Sequence, residues 1–166
     1  MAILLEVLLW LHIVAAIGWV GAAMVFGMVL GPVLPTFTPA TRGEFIVKVF
    51  PKYIRFIEIF TIATPIIGVA LALSMANGDF SMFAPTTQFG LFISVGAALA
   101  VVALVVAFGV VTPAARKVLK LTEAMMKAPG PPSPELLGAN KRLRGGAAIG
   151  LVLLMVILVC MVAATG

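Results

Sequence analysis

Four long apolar stretches divide this chain, and the charged residues gather between them. The first runs from about residue 2 to residue 34 and is broken only by Glu6 and His12. It exceeds the roughly 20 residues that cross a ~30 Å hydrocarbon layer, so it is expected to tilt or project from one. Gly31-Pro32 and Pro35 mark its end. The second covers about 54–76 and stops at Asn77-Gly78, a turn signal. The third covers about 89–111 and the fourth about 146–164. This pattern predicts an all-α fold: an integral membrane four-helix antiparallel bundle, a single domain over residues 1–166.

The sign of the charges orients the bundle. All 11 Lys and Arg fall in or at the edge of two connecting segments, residues 35–53 and 112–145. Arg42, Lys48, Lys52 and Arg55 belong to the first, and the other seven, from Arg116 to Arg144, to the second. Cationic loops stay on the cytoplasmic side, so both basic segments are expected there and both termini outside. The remaining connection, 79–88, has no Lys or Arg and reads as external. Within the second basic segment, Thr112-Pro113 opens a candidate juxtamembrane helix through Lys127. The proline-rich run 128–135 cannot be helical at its centre. Ser133 or Pro134 then opens a short helix leading into Gly145-Gly146 and the fourth span.

Composition agrees with this picture. The chain is 63% hydrophobic and 10% charged, with a mean hydropathy of +1.23, against roughly 45–50% apolar residues in soluble domains. Its net charge of +5 suits anionic lipid heads better than nucleic acid, because the cations flank apolar spans. Cys160 is the lone cysteine and lies in an apolar run, which excludes a disulfide framework and a CxxC knuckle. The first residues lack the cationic region of a signal peptide, so the first stretch is expected to be retained in a plasma-membrane protein. No hydrolytic triad, phosphate loop, zinc-protease signature or paired-carboxylate site is present, so a soluble-type enzyme is excluded.

Lipid tails are as apolar as Leu, so helices in a bilayer associate through small residues. Ala23, Gly27 and Gly31 offer such a stripe on the first span, and Ala103 and Ala107 on the third. Pro65 frees the carbonyl of Thr61 and is a candidate kink.

Four polar residues inside the spans are candidates for chemistry: Glu6, His12, Glu58 and Ser94. An ionisable group there is a functional hypothesis because its burial as a charge costs at least ~2.5 kcal/mol. Glu6 is one turn from the outer end, where the helix dipole favours a carboxylate. Glu58 lies near the inner end of the second span, three residues from Arg55 and near Tyr53, so an interfacial ion pair with Arg55 is expected. The alternative makes Glu58 a proton acceptor facing the interior with Thr61 and Pro65.

His12 lies deeper, roughly 13 Å from the start of its helix. Ala16 and Trp19 share its stripe, with Ala15 and Ala23 beside them. A neutral histidine can ligate haem iron or copper through one nitrogen. The plain alternative is a hydrogen bond to a neighbouring helix, for example to Ser94. With one histidine in the chain, a bis-histidine haem within one copy is impossible. Met24 is about 18 Å along the helix from His12 and cannot share its metal. Met155 on the fourth span comes closest in depth among the thioethers, and Cys160 is nearer the surface.

The run Leu11-His12-Ile13-Val14-Ala15-Ala16-Ile17-Gly18-Trp19-Val20-Gly21 resembles the first span of the copper-resistance protein D superfamily. That grouping also takes in the membrane haem-type protoporphyrinogen oxidases and uncharacterised four-helix families. Gly31-Pro32-Val33-Leu34 and Phe50-Pro51-Lys52-Tyr53 resemble the uncharacterised branch. The likeness covers about the first 70 residues. It implies a compact bundle in which His12 contacts haem b or copper. Relatives often carry further histidines in later spans, and this chain has none.

Three functional expectations follow. In the first, His12 holds a cofactor in an electron-transfer or metal-handling protein, and the stripe from His12 through Ala16 to Trp19 faces an interior space. In the second, the chain is a non-catalytic accessory subunit of a larger membrane complex or homo-oligomer, with Ala23, Gly27 and Gly31 facing outward. In the third, a small transporter uses Glu58, Thr61 and Pro65 to line a cavity open to the cytoplasm.

Overall fold

The computed structural model describes residues 2–128 and 130–165. It consists of four helices, each long and apolar enough to cross a membrane: α1 (Ala2–Thr36), α2 (Pro39–Ala76), α3 (Gln88–Lys127) and α4 (Pro134–Ala163). No strand occurs among the described residues. Contacts between partners step down α1 as they step up α2: His12 meets Thr64, Gly18 meets Phe60, and Ala22 meets Tyr53. The same antiparallel order holds between α3 and α4, where Gln88 meets Ala163, Gly96 meets Met161, and Val110 meets Gly146.

The helices are longer than the apolar stretches, and this corrects the expected loops. Most of residues 35–53 is the first part of α2, which starts at Pro39 with the Thr38 side chain accepting from the Thr41 amide at 3.3 Å. Residues 112–127 continue α3 without a break. The expected short helix at Pro134 is the start of α4 itself, capped by Ser133. A Cβ on Gly146 would lie 2.9 Å from Val110 Cγ1 and 3.1 Å from Val111 Cγ2, so glycine here lets two helices approach. Pro129, within the proline-rich run, lies outside the described residues.

Two helices widen at the same kind of place. Before Pro32, α1 makes a π-turn over Val25–Leu30, with the Gly31 amide bonding Phe26 O. Before Pro113, α3 makes one over Ala107–Val111, with the Thr112 amide bonding Ala107 O. A proline lacks the N–H its turn requires, and its ring crowds the carbonyl four residues back. Widening the helix one residue earlier relieves both problems. On α1, the Tyr53 hydroxyl donates to the Ala22 carbonyl just before the widened turn.

The buried residues divide unequally. The larger core lies at the basic end and draws on all four helices: Phe26; Ile46, Phe50 and Ile54; Ala114, Ala115 and Val118; Leu136, Ala139 and Leu143. In the apolar section Trp19, Ala103 and Leu154 form a smaller cluster, and Ala15, Thr61, Thr64 and Cys160 are buried as well. Its outer surface is instead hydrophobic. Ile17, Ile66, Val105 and Val159, one from each helix, are 66, 63, 65 and 64% exposed. A surface of that kind suits lipid rather than water.

Candidate functional site

His12 sits between α1 and α2. Its Nδ1 lies 3.0 Å from the carbonyl oxygen of Thr64. A carbonyl only accepts, so Nδ1 carries the proton and Nε2 keeps its lone pair. The imidazole lies over Gly68, where a Cβ would be 2.8 Å from Cε1 and 3.2 Å from Nδ1. Gly68 therefore makes the seat and Thr64 fixes the ring's rotation. The Thr64 hydroxyl bonds back to Phe60 O at 2.7 Å. Phe60 in turn covers Gly18, whose Cβ would be 2.5 Å from the ring. The expected partner Ser94 is elsewhere: it is exposed and donates to Phe83 O at 3.2 Å in the α2–α3 connection. Glu6 is exposed near the start of α1.

Trp19 leaves the His12 neighbourhood and enters the interior. It is 5% exposed and packs with Ala103 and Leu154. Beside it is a cavity of about 80 Å³, also lined by Glu58, Thr61, Ala103 and Ala107. His12 and Pro65 do not line this cavity, and Ala16 is half-buried outside it. The expected stripe is thus split: its Trp19 end faces a space and its His12 end faces α2. Met155 adjoins Leu154, which belongs with Trp19, two turns or about 10 Å inward of His12.

Glu58 borders the same cavity, and its partner is a second correction. It binds Arg116 on α3 at 2.7 Å, not the nearby Arg55. The two side chains are 20% and 66% exposed, respectively. Thr61 is 2% exposed one turn further along α2. The arrangement places one carboxylate, pinned by a guanidinium, at the wall of an apolar chamber.

A second, larger cavity of about 630 Å³ opens at the basic end. It shares Phe26, Phe50 and Leu143 with the smaller one, so these three side chains form the wall between them. Arg42, Arg144 and Asn140 contribute polar groups to its lining.

Comparison with known proteins returns nothing: no family model, curated protein or solved structure matches this chain.

Ala23 and Gly27 turn inward. Ala23 packs with the Trp19 core, and a Cβ on Gly27 would lie 3.1 Å from Leu151 of α4. The outward docking stripe expected of an accessory subunit is absent at these positions. Sequence reasoning missed Thr64, Gly68, Arg116 and Arg42. Gly68 carried a usable signal, since a glycine within an apolar span marks close approach. Arg116 carried none, because its partner is 58 residues away.

Proposed function

We propose that this is a four-span cell-membrane protein with its basic end in the cytoplasm and both termini outside. In this reading His12 is the single protein ligand of a haem b that serves electron transfer. The bond from His12 Nδ1–H to the Thr64 carbonyl carries the proposal. Ligating histidines characteristically give their other N–H to a carbonyl or carboxylate, which fixes the tautomer and raises the basicity of the ligating nitrogen. Here the bond leaves Nε2 as the available atom.

The donor set favours haem over copper. One proximal histidine suffices to hold haem iron, and the chain has one histidine. Copper sites draw on several His, Cys or Met ligands. Among the described residues no three or more His, Cys, Asp or Glu are grouped so that they could hold a metal ion. The cavity near Trp19 is well below the roughly 300 Å³ of a small-molecule site. A porphyrin would therefore be held at the seam beside His12, with Gly68 and Thr64 keeping the imidazole in place. When bound, the haem would supply one-electron chemistry. The resemblance of the Leu11–Gly21 run supports the same assignment.

The test is an absorption spectrum of the detergent-purified protein, oxidised and dithionite-reduced, with metal analysis and a His12→Ala control. A Soret band that shifts on reduction and vanishes in the variant is expected. Stoichiometric copper lost in the variant would replace haem with copper. A colourless, metal-free protein would favour a second reading, an accessory subunit in which His12 only pins α1 to α2. In that reading loss of the His12–Thr64 bond would cost about 0.6–1.7 kcal/mol.

A further inference from the structure

We propose that the larger cavity at the basic end binds the phosphate head of an anionic membrane lipid. Arg42 and Arg144 would bind the phosphate, and the apolar floor would take the first part of the acyl chains. The cavity, about 630 Å³, falls within the roughly 300–1,000 Å³ typical of small-molecule sites. Its lining is two-sided: Arg42, Arg144 and Asn140 supply donors, while Phe26, Ile46 and Phe50 are apolar.

The guanidiniums have no carboxylate of their own. Among the described residues, the ion pairs are Lys48–Glu44, Arg116–Glu58 and Lys117–Glu135, and none involves Arg42 or Arg144. Glu44, the one acid lining the cavity, is already bound to Lys48 at 3.0 Å. Arg42 is half-buried, and Arg144 is exposed at the cavity's edge. A cation partly withdrawn from water without a counter-charge favours an incoming anion. The planar guanidinium fork matches a phosphate with two parallel hydrogen bonds.

Two features point to a lipid instead of a free phosphate. The cavity floor is apolar and adjoins the deeper chamber through Phe26, Phe50 and Leu143. The basic end, in the orientation proposed above, also meets the anionic leaflet, where basic pockets between helices take acidic headgroups. The inference rests on that orientation and not on His12.

The experiment is native mass spectrometry of the detergent-solubilised full chain titrated with phosphatidylglycerol, phosphatidylcholine or glycerol 3-phosphate. Phosphatidylglycerol is expected to bind stoichiometrically. Arg42→Gln with Arg144→Gln is expected to weaken it about tenfold or more, consistent with losing two charge-assisted contacts. Arg42→Lys with Arg144→Lys should fall between the two. Lys141→Gln with Arg142→Gln removes the same charge from neighbouring positions that do not line the cavity, and should leave binding unchanged. An equal loss in that control would overturn the proposal in favour of diffuse surface charge. Equal binding of phosphatidylcholine would overturn anion recognition, and equal binding of glycerol 3-phosphate would overturn the lipid source. Melting curves of each variant separate lost binding from lost folding. Binding in detergent does not depend on which way the chain crosses a membrane, so failure of the orientation and failure of the site are read separately.

Discussion

The two ends of this bundle are held together by different physics, although the same four helices run through both. At the basic end, α2, α3 and α4 carry charged faces, and burial is extensive: Phe50 is 2% and Val118 1% exposed. Packing of that kind is driven by removal of apolar area from water. In the apolar section Trp19, Ala103 and Leu154 form a smaller cluster, while large aliphatic side chains point outward. There the helices meet by laying rings on glycines, Phe60 on Gly18 and His12 on Gly68. Lipid offers no hydrophobic drive between helices, so close fit and cross-helix hydrogen bonds remain. The contrast divides single helices into two packing regimes. Side-chain polar contacts join α1 to α2 in both regions: His12 donates to the Thr64 carbonyl in the apolar section, and Tyr53, beside the basic-end core, to that of Ala22.

The largest test of this contrast is at Phe50. Phe50→Ala removes a buried ring from the basic-end core and should cost about 3–5 kcal/mol. Ile66→Ala, at a 63% exposed site in the apolar section, should stay within about 0.5 kcal/mol. Denaturant unfolding in detergent compares the two, and similar losses would refute the division into two packing regimes.

A finer test sits within the apolar section. Added methyls at Gly18 and Gly96 would both lie 2.5 Å from a neighbour, the Phe60 ring in one case and the tip of Met161 in the other. A ring wedged between helices cannot give way, so Gly18→Ala should cost about 1–3 kcal/mol. The thioether of Met161 can move, and Gly96→Ala should cost less than about 1 kcal/mol. Thermal melts of both variants check the order, and its reversal would mean that α1–α2 is the looser pair.

The smallest expected effect is at Glu58. Its ion pair with Arg116 joins α2 to α3, but the arginine is largely exposed. Glu58→Gln should lower stability by about 0.2–1 kcal/mol, with a difference that shrinks as salt rises. A salt-independent loss above that range would place the pair in a water-excluded setting and make Glu58 part of the chamber's chemistry.

Much of the architecture was legible in the chain. Four helices with apolar midsections follow from unbroken hydrophobic runs, and Asn77-Gly78 ends α2 with positive φ at both residues. The helical extensions were less visible because charge clusters read as loops. Yet Gly43, Ile46, Phe50 and Ile54 recur at three- and four-residue spacing, as do Leu136, Ala139, Leu143 and Gly146. That is the period of a one-sided helix. His12 was legible as a site by its depth, but its partner was not. Ser94 and Thr64 were both hydroxyl residues on other spans, and the actual acceptor is a main-chain carbonyl that any residue could offer.

The sequence by itself determined the helix count, the segregation of basic residues and the single imidazole available for ligation, since these depend on composition and order along one dimension. Tertiary structure alone decided that His12 faces Gly68, that Glu58 meets Arg116 across 58 residues, and that Arg42 and Arg144 line one cavity. The reason is geometric. Each pairing depends on the register and rotation of antiparallel helices, which are fixed by where glycines admit a ring and where prolines force a π-turn. A one-residue change in that register rotates a helical side chain by about 100°, and no local pattern records which rotation the packed bundle selects.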